Sequence, residues 1–211
     1  MPIQPLITPA SQFGFFGKIP SVGDFVSRGL DAATVGRLDL WLSELLAGCQ
    51  EQYPEFLSRW DTLPVVRFVL SGDVLSEQVY AGVLGPSQDS VGRIFPLVIL
   101  YRLDCMQDKA VLLDYSHDWY SDMEDLIYIS RNQAVEPDRL FQIIGRTQPE
   151  IDEPAAVGDE APAVMGREPT IEKAKSFWWT ASAPILLSPV SDALPRAAVL
   201  APLYKGLPGQ C

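Results

Sequence analysis

The chain is nearly without histidine: His117 is the one such residue among 211. Any Ser-His-Asp or Cys-His arrangement would have to rest on that single base. In Tyr115-Ser-His-Asp-Trp119 it stands beside a predicted helix start, a place where it meets solvent or a carboxylate. Cysteine is also scarce. Cys49, Cys105 and Cys211 are odd in number and show no C-x-x-C spacing, which argues against a disulfide framework and against a zinc site. Isolated thiols fit a reducing compartment. Positive charge is in deficit, with 16 Lys and Arg against 27 Asp and Glu and a formal charge of −11. Without a basic patch, a nucleic-acid partner is not expected, and an anionic membrane surface would repel the chain. No run approaches the about 18 apolar residues of a membrane span. The opening Met1-Pro-Ile-Gln-Pro5 lacks the basic and apolar regions of a secretory signal. The expectation is a cytoplasmic protein with no membrane insertion.

Phosphate-binding and nucleophile signatures are missing too. Gly17-Lys18 fails as a P-loop, because Gln12 stands where its first Gly belongs and Ile19 follows the Lys. No G-x-G-x-x-G occurs. Gly85-Pro-Ser-Gln-Asp89 lacks the second Gly of a nucleophile elbow. Carboxylate pairs such as Asp104 and Asp108 read as solvated faces in so acidic a chain. No catalytic residue, cofactor or metal ligand is therefore expected, and the chain is not read as an enzyme.

What is present is globular: 47% apolar and 20% charged residues, in a length that suits one domain with a real core. Residues 1–12 are a Pro-rich lead-in, 13–204 a single domain and 205–211 a fraying tail. Asp31 is placed to cap a helix whose apolar face is Val35, Leu38, Trp41, Leu42, Leu45, Leu46 and Cys49. Gly36 weakens its start and Gly48 lies near its end. A second short helical piece is expected from Glu51 to Arg59, with Tyr53, Phe56, Leu57 and Trp60 on one side. Three strands follow, at 65–70, 78–84 and 94–101, the last starting in earnest after Pro96. Their short connections favour antiparallel neighbours. A later helix turns Trp119, Met123, Leu126 and Ile127 inward and Asp122, Glu124 and Asp125 outward. Pro137 opens another, which buries Leu140, Phe141 and Ile144 and stops at Gly145. Residues 148–169, rich in Pro, Glu, Asp and Ala, bury too little to offset ordering entropy and read as a flexible loop. Phe177-Trp-Trp179, Ile185-Leu-Leu187 and Ala197-Ala-Val-Leu200 complete the core. Of Trp178 and Trp179, one ring is expected in the core and the other half-covered, rather than both forming an exposed platform.

The chain is organised around residues 82–97, Gly82-Val-Leu-Gly-Pro-Ser-Gln-Asp-Ser-Val-Gly-Arg-Ile-Phe-Pro-Leu97. Gly, Pro, Ser and Asp there mark a loop with special backbone needs between apolar strands. Asp89 and Arg93 place two opposite charges in it. One reading is a structural corner held by an ion pair; the other is a recognition loop on a rigid scaffold. This stretch resembles the G-V-L-x-P-S-x-D-x-V-G-R-x-F-P-L segment of the type VI secretion-associated TagF or ImpM family. Gly14-Phe-Phe-Gly-Lys-Ile-Pro-Ser-Val-Gly-Asp-Phe-Val-Ser-Arg28 is similar to that family's opening, and Ser176-Phe-Trp-Trp-Thr180 to its S-x-W-W-T. The resemblance marks Gly17, Lys18, Pro20, Gly23, Asp24, Phe25 and Arg28 in the first loop. In the second it marks Pro86, Ser87, Asp89, Gly92, Arg93, Phe95 and Pro96, and near the end the pair Trp178 and Trp179.

The resemblance implies a compact α/β domain layered helix–sheet–helix, around a mixed, largely antiparallel sheet. It implies a cytoplasmic post-translational regulator, generally a repressor, that engages a forkhead-associated scaffold protein, with no enzyme activity assigned to the domain. Two alternatives stand beside it: a structural accessory subunit of the apparatus, and a hydrolase or ligand sensor built on Ser87, Asp89 and Arg93. Both polar loops are expected on one side of the domain, with Asp24 and Arg28 joining Asp89 and Arg93 in one charge network, because unpaired charges between apolar strands are costly.

Overall fold

The computed structural model describes residues 12–103, 117–147, 164–165, 174–181 and 183–189. Its strands are β1 (Phe13–Gly17), β2 (Val26–Arg28), β3 (Val66–Leu70), β4 (Val79–Gly85), β5 (Leu97–Leu103), β6 (Val164–Met165), β7 (Ala174–Thr180) and β8 (Ala183–Pro189). They form one sheet in the order β2-β1-β5-β4-β3-β7-β8-β6. Every pairing is antiparallel except that of β6 with β8. The strands expected at 65–70, 78–84 and after Pro96 are β3, β4 and β5, and their connections, too short for a crossover, leave them antiparallel as expected. Of the expected loop at 148–169, Val164 and Met165 instead add a short parallel edge strand; the rest lies outside the described residues, as do 1–11, 104–116 and 197–200.

The central strands are covered on both faces, so their near-continuous apolar runs sort by the pleat. Val66, Phe68, Leu70, Leu84, Val98, Leu100 and Trp178 turn to one side. There they meet helix α1 (Ala32–Gln52) through Leu38, Trp41, Leu42 and Leu45. Val69, Ala81, Val83, Ile99, Phe177 and Trp179 turn to the other. Against them lie α2 (His117–Asn132), with Trp119, Tyr120, Met123 and Ile127, and α3 (Pro137–Ile144), with Leu140 and Ile144. This is the expected helix–sheet–helix α/β domain.

Asp31 caps α1 as expected: its Oδ1 accepts from the Thr34 amide at 2.8 Å and its Oδ2 from the Thr34 hydroxyl at 2.8 Å. Gly48 lies near the end of that helix, as expected, and the helix runs on to Gln52. The helical piece expected from Glu51 is displaced into a 3₁₀ turn, Leu57–Thr62, because Pro54 cannot donate and disfavours a helical Tyr53. Trp60 is buried there, whereas Tyr53 and Leu57 are exposed rather than sharing its side. Glu124 also departs from expectation. It turns inward, its Oε1 2.6 Å from Nε of the buried Arg67 on β3.

Candidate functional site

The loop between β4 and β5 folds around one carboxylate. Asp89 is fully buried, and its oxygens accept from the amides of Val91 (3.1 Å) and Arg93 (2.9 Å) and from Arg93 Nε (2.7 Å). Lys18 Nζ, on the loop between β1 and β2, lies 3.1 Å from Asp89 Oδ2. Aspartate suits this place because its short side chain reaches the amides two and four residues on, closing the turn upon itself. Gly92 completes the bend at φ +82°, with open space where a side chain would stand. Burial opposes the charge on Asp89. The Arg93 amide, Lys18, the Arg93 guanidinium and the Val91 amide outweigh it and hold the carboxyl well below the usual carboxylate range.

The two polar loops are stitched together, as expected. The Ser90 amide donates to Val22 O at 2.9 Å, and Arg93 Nη2 donates to Gly23 O. Behind them Gly17 runs at φ +142°, and a methyl there would overlap the Pro96 carbonyl and sit 2.9 Å from Leu97 Cα. The close approach of the end of β1 to the start of its neighbour β5 therefore requires glycine. Ser87 anchors the loop from below: its carbonyl accepts from Trp60 Nε1 (2.9 Å) and the Phe95 amide (3.1 Å). Its own hydroxyl is buried and makes no hydrogen bond. Phe95 meets Phe25 edge-on at 4.8 Å, Phe25 stacks on Phe16 at 5.8 Å, and Lys18 Nζ lies 5.0 Å from the centre of the Phe25 ring. On the far wall, Pro86 and Pro96 border a shallow apolar groove with Leu45, Cys49, Phe56 and Trp60.

The membership of the charge network differs from expectation. Lys18, not Arg28, is the second cation on Asp89. Arg28 points along β2 to α3, where its Nε lies 2.8 Å from Asp138. Asp24 turns back on the chain and accepts from the Phe25 amide at 2.8 Å. Lysine's long stem lets it cross from one loop to the other while its methylenes stay in the apolar layer. An odd cation in an apolar setting, followed by a Pro-bounded turn, was the signal for it. Pro20 lies in that turn, next to Ser21, whose hydroxyl donates to Val135 O at 2.7 Å. The Trp pair is more buried than expected. Trp178 packs between Phe68 (5.0 Å) and Trp41 (5.6 Å), and Trp179, on the opposite face, against Tyr120 (5.0 Å). Both belong to the core and stand apart from the Asp89 loop.

The arrangement is suited to holding a shape. Asp89 has its lone pairs engaged by four donors, which leaves it poorly placed to take a proton from a substrate. Among the described residues no cluster of three or more His, Cys, Asp or Glu could hold a metal ion. No helix among them is long and apolar enough to cross a membrane.

No curated protein matches the chain. Among solved structures it is similar to PA0076 from Pseudomonas aeruginosa PAO1, with a TM-score of 0.69 at 27% identity, over 94% of this chain and 96% of that one. The model of the TagF N-terminal domain, described as type VI secretion system-associated, matches residues 14–146, a span that holds both stitched loops, α1 and both helices of the opposite layer. The chain belongs to this type VI secretion system-associated TagF family.

Proposed function

We propose that the protein is a regulator that restrains a bacterial type VI secretion system by binding a forkhead-associated scaffold component in the cytoplasm. The family places it with that system; the regulatory role and the scaffold partner are what the resemblance implies. One observation carries the step from membership to binding. The residues of the two polar motifs converge to build a rigid double loop, whose interior is spent on its own hydrogen bonds and whose outer face presents Phe25, Val91 and Arg93. Loops held this firmly on a scaffold serve recognition at low entropic cost. The same interior weighs against a hydrolase centred on Ser87. A nucleophilic hydroxyl needs an adjacent base, and Ser87 Oγ has no hydrogen-bond partner.

The test is secretion from the producing bacterium with the gene deleted, restored, or restored as a loop variant. A repressor predicts more secretion on deletion and return to the original level on restoration. Unchanged secretion refutes a regulatory role, and reduced secretion identifies an accessory subunit instead.

A further inference from the structure

The outer face of the double loop has a composition and a rigidity that define what it fits. Three side chains stand out: Phe25 at 44% exposure, Val91 at 71% and the Arg93 side chain at 60%. Exposed aromatics and arginines are ordinary on a surface when mobile. These are pinned. Arg93 is tied through Nε to Asp89 and through Nη2 to Gly23 O. Phe25 is clamped by Phe16, Phe95 and the Lys18 ammonium. Val91 rides on a turn whose amide is bonded to Asp89. Ordering them has been accomplished by folding, so a partner that meets them loses little rotamer freedom.

Charge decides the kind of partner. Asp89 is already neutralised by the buried Lys18, so Arg93 brings a second positive charge to the same carboxylate. The cluster Lys18, Asp89 and Arg93 sums to +1 in a chain of formal charge −11. The remaining guanidinium nitrogen, Nη1, makes no hydrogen bond among the described residues and is available for a charge-assisted bond. Asp24 stands on the rim beside Phe25, its carboxylate held by the Phe25 amide. It is an exposed negative charge one residue from the Gly23 carbonyl that holds Arg93, and so opposes an anionic partner there.

We propose that Phe25, Val91 and Arg93 form a docking surface for a protein segment that presents a carboxylate side chain next to an apolar one. The carboxylate meets Arg93 Nη1, and the apolar side chain covers the exposed parts of Phe25 and Val91. This rests on the scaffold-binding reading above and assigns the face through which that binding occurs. Buried aromatic and arginine anchors dominate interface energetics.

The test uses the full chain and the purified forkhead-associated scaffold component of the same secretion system, with affinity read by titration calorimetry. Val91→Asp changes only an exposed position, so it tests the surface even if Arg93→Gln loosens the loop. Each is expected to weaken binding by about tenfold or more, the scale of an anchor residue. Asp24→Asn is expected to tighten it by roughly two- to threefold, as removal of a screened like charge does. Leu40→Asp, at an exposed position on α1, should leave it unchanged. Phosphatase treatment of the scaffold should have no effect, because the ligand group is a carboxylate. If wild type binds and Val91→Asp binds equally, the surface is refuted. If phosphatase abolishes binding, a phosphate is the ligand and the carboxylate assignment is overturned. If wild type does not bind at all, the scaffold reading itself fails and this inference falls with it.

Discussion

Arg67 and Glu124 make a sharp test of how the two layers are joined. Arg67 is the second residue of β3, its side chain 3% exposed, among residues that are otherwise apolar. Its Nε is 2.6 Å from Glu124 on α2, its Nη2 3.2 Å from Ser121 Oγ, and its guanidinium 5.7 Å from the centre of the Tyr120 ring. Glu124, at 13% exposure, lies closer to water. The two single truncations should therefore differ. Glu124→Leu leaves a buried cation with only a hydroxyl and a ring face, and breaking a buried pair costs about 3–5 kcal/mol. The surviving Ser121 and Tyr120 contacts put the expectation near ~3 kcal/mol. Arg67→Met leaves a carboxylate that can turn toward solvent, with a loss of about 1.5–2 kcal/mol, the scale of one charged hydrogen bond. The double variant Arg67→Met/Glu124→Leu removes both desolvated charges and fills the space with apolar groups. It should return to within about 1 kcal/mol of wild type or exceed it. Urea unfolding gives the three differences directly. In a thermal scan, ~3 kcal/mol corresponds to a fall of roughly 6–12 °C for a chain of this size. A double variant as unstable as the sum of the singles would refute the reasoning, since it would show that the two charges do not compensate one another across the layer.

Other outcomes follow from single positions. Gly17→Ala, at φ +142° against the Pro96 carbonyl, should cost about 1–3 kcal/mol in urea unfolding and shift the amide resonances of residues 86–96. By contrast, Gly36→Ala, in α1 with nothing within 4 Å, should stabilise the protein by about 0.5–1 kcal/mol. Asp89→Asn should destabilise the loop at neutral pH. Because the folded carboxyl is depressed, the wild-type advantage is complete above the ordinary value of about 4 and fades as pH falls through the lower folded value. Unfolding of both proteins between pH 7 and pH 2 checks this, and a difference that widened on acidification would contradict it. Burial pushes the Cys49 thiol up to about 11, so mass spectrometry should find it unlabelled by maleimide at pH 8 until the chain is unfolded.

The two motif loops show why charge can occupy the seam of an apolar sheet. The oxygens of Asp89 itself are matched locally, by the amides of its own turn and by two cations. What remains outward is the part of Arg93 and Phe25 that the turn does not need. These inner contacts make the structural corner; the recognition role proposed above would draw only on the outer face that they leave free.

Local rules determined much of this protein from the sequence alone. The 3.6-residue spacing of Leu38, Trp41, Leu42 and Leu45, the Asp31 cap, the Pro137 helix start and the β-branched runs of β3 and β5 all act between near neighbours, and each is where the residues put it. Glycine, proline and aspartate likewise announced both loops, because their backbone preferences are intrinsic. Only the tertiary structure decided who pairs with whom. Lys18 rather than Arg28 reaches Asp89, Arg28 turns to Asp138, and Glu124 turns in to Arg67. Charges separated by 57 or more residues, like Arg67 and Glu124, meet only after the strand order and the packing of α2 and α3 are set. That order depends on the summed burial of two apolar layers, which no single stretch of chain contains.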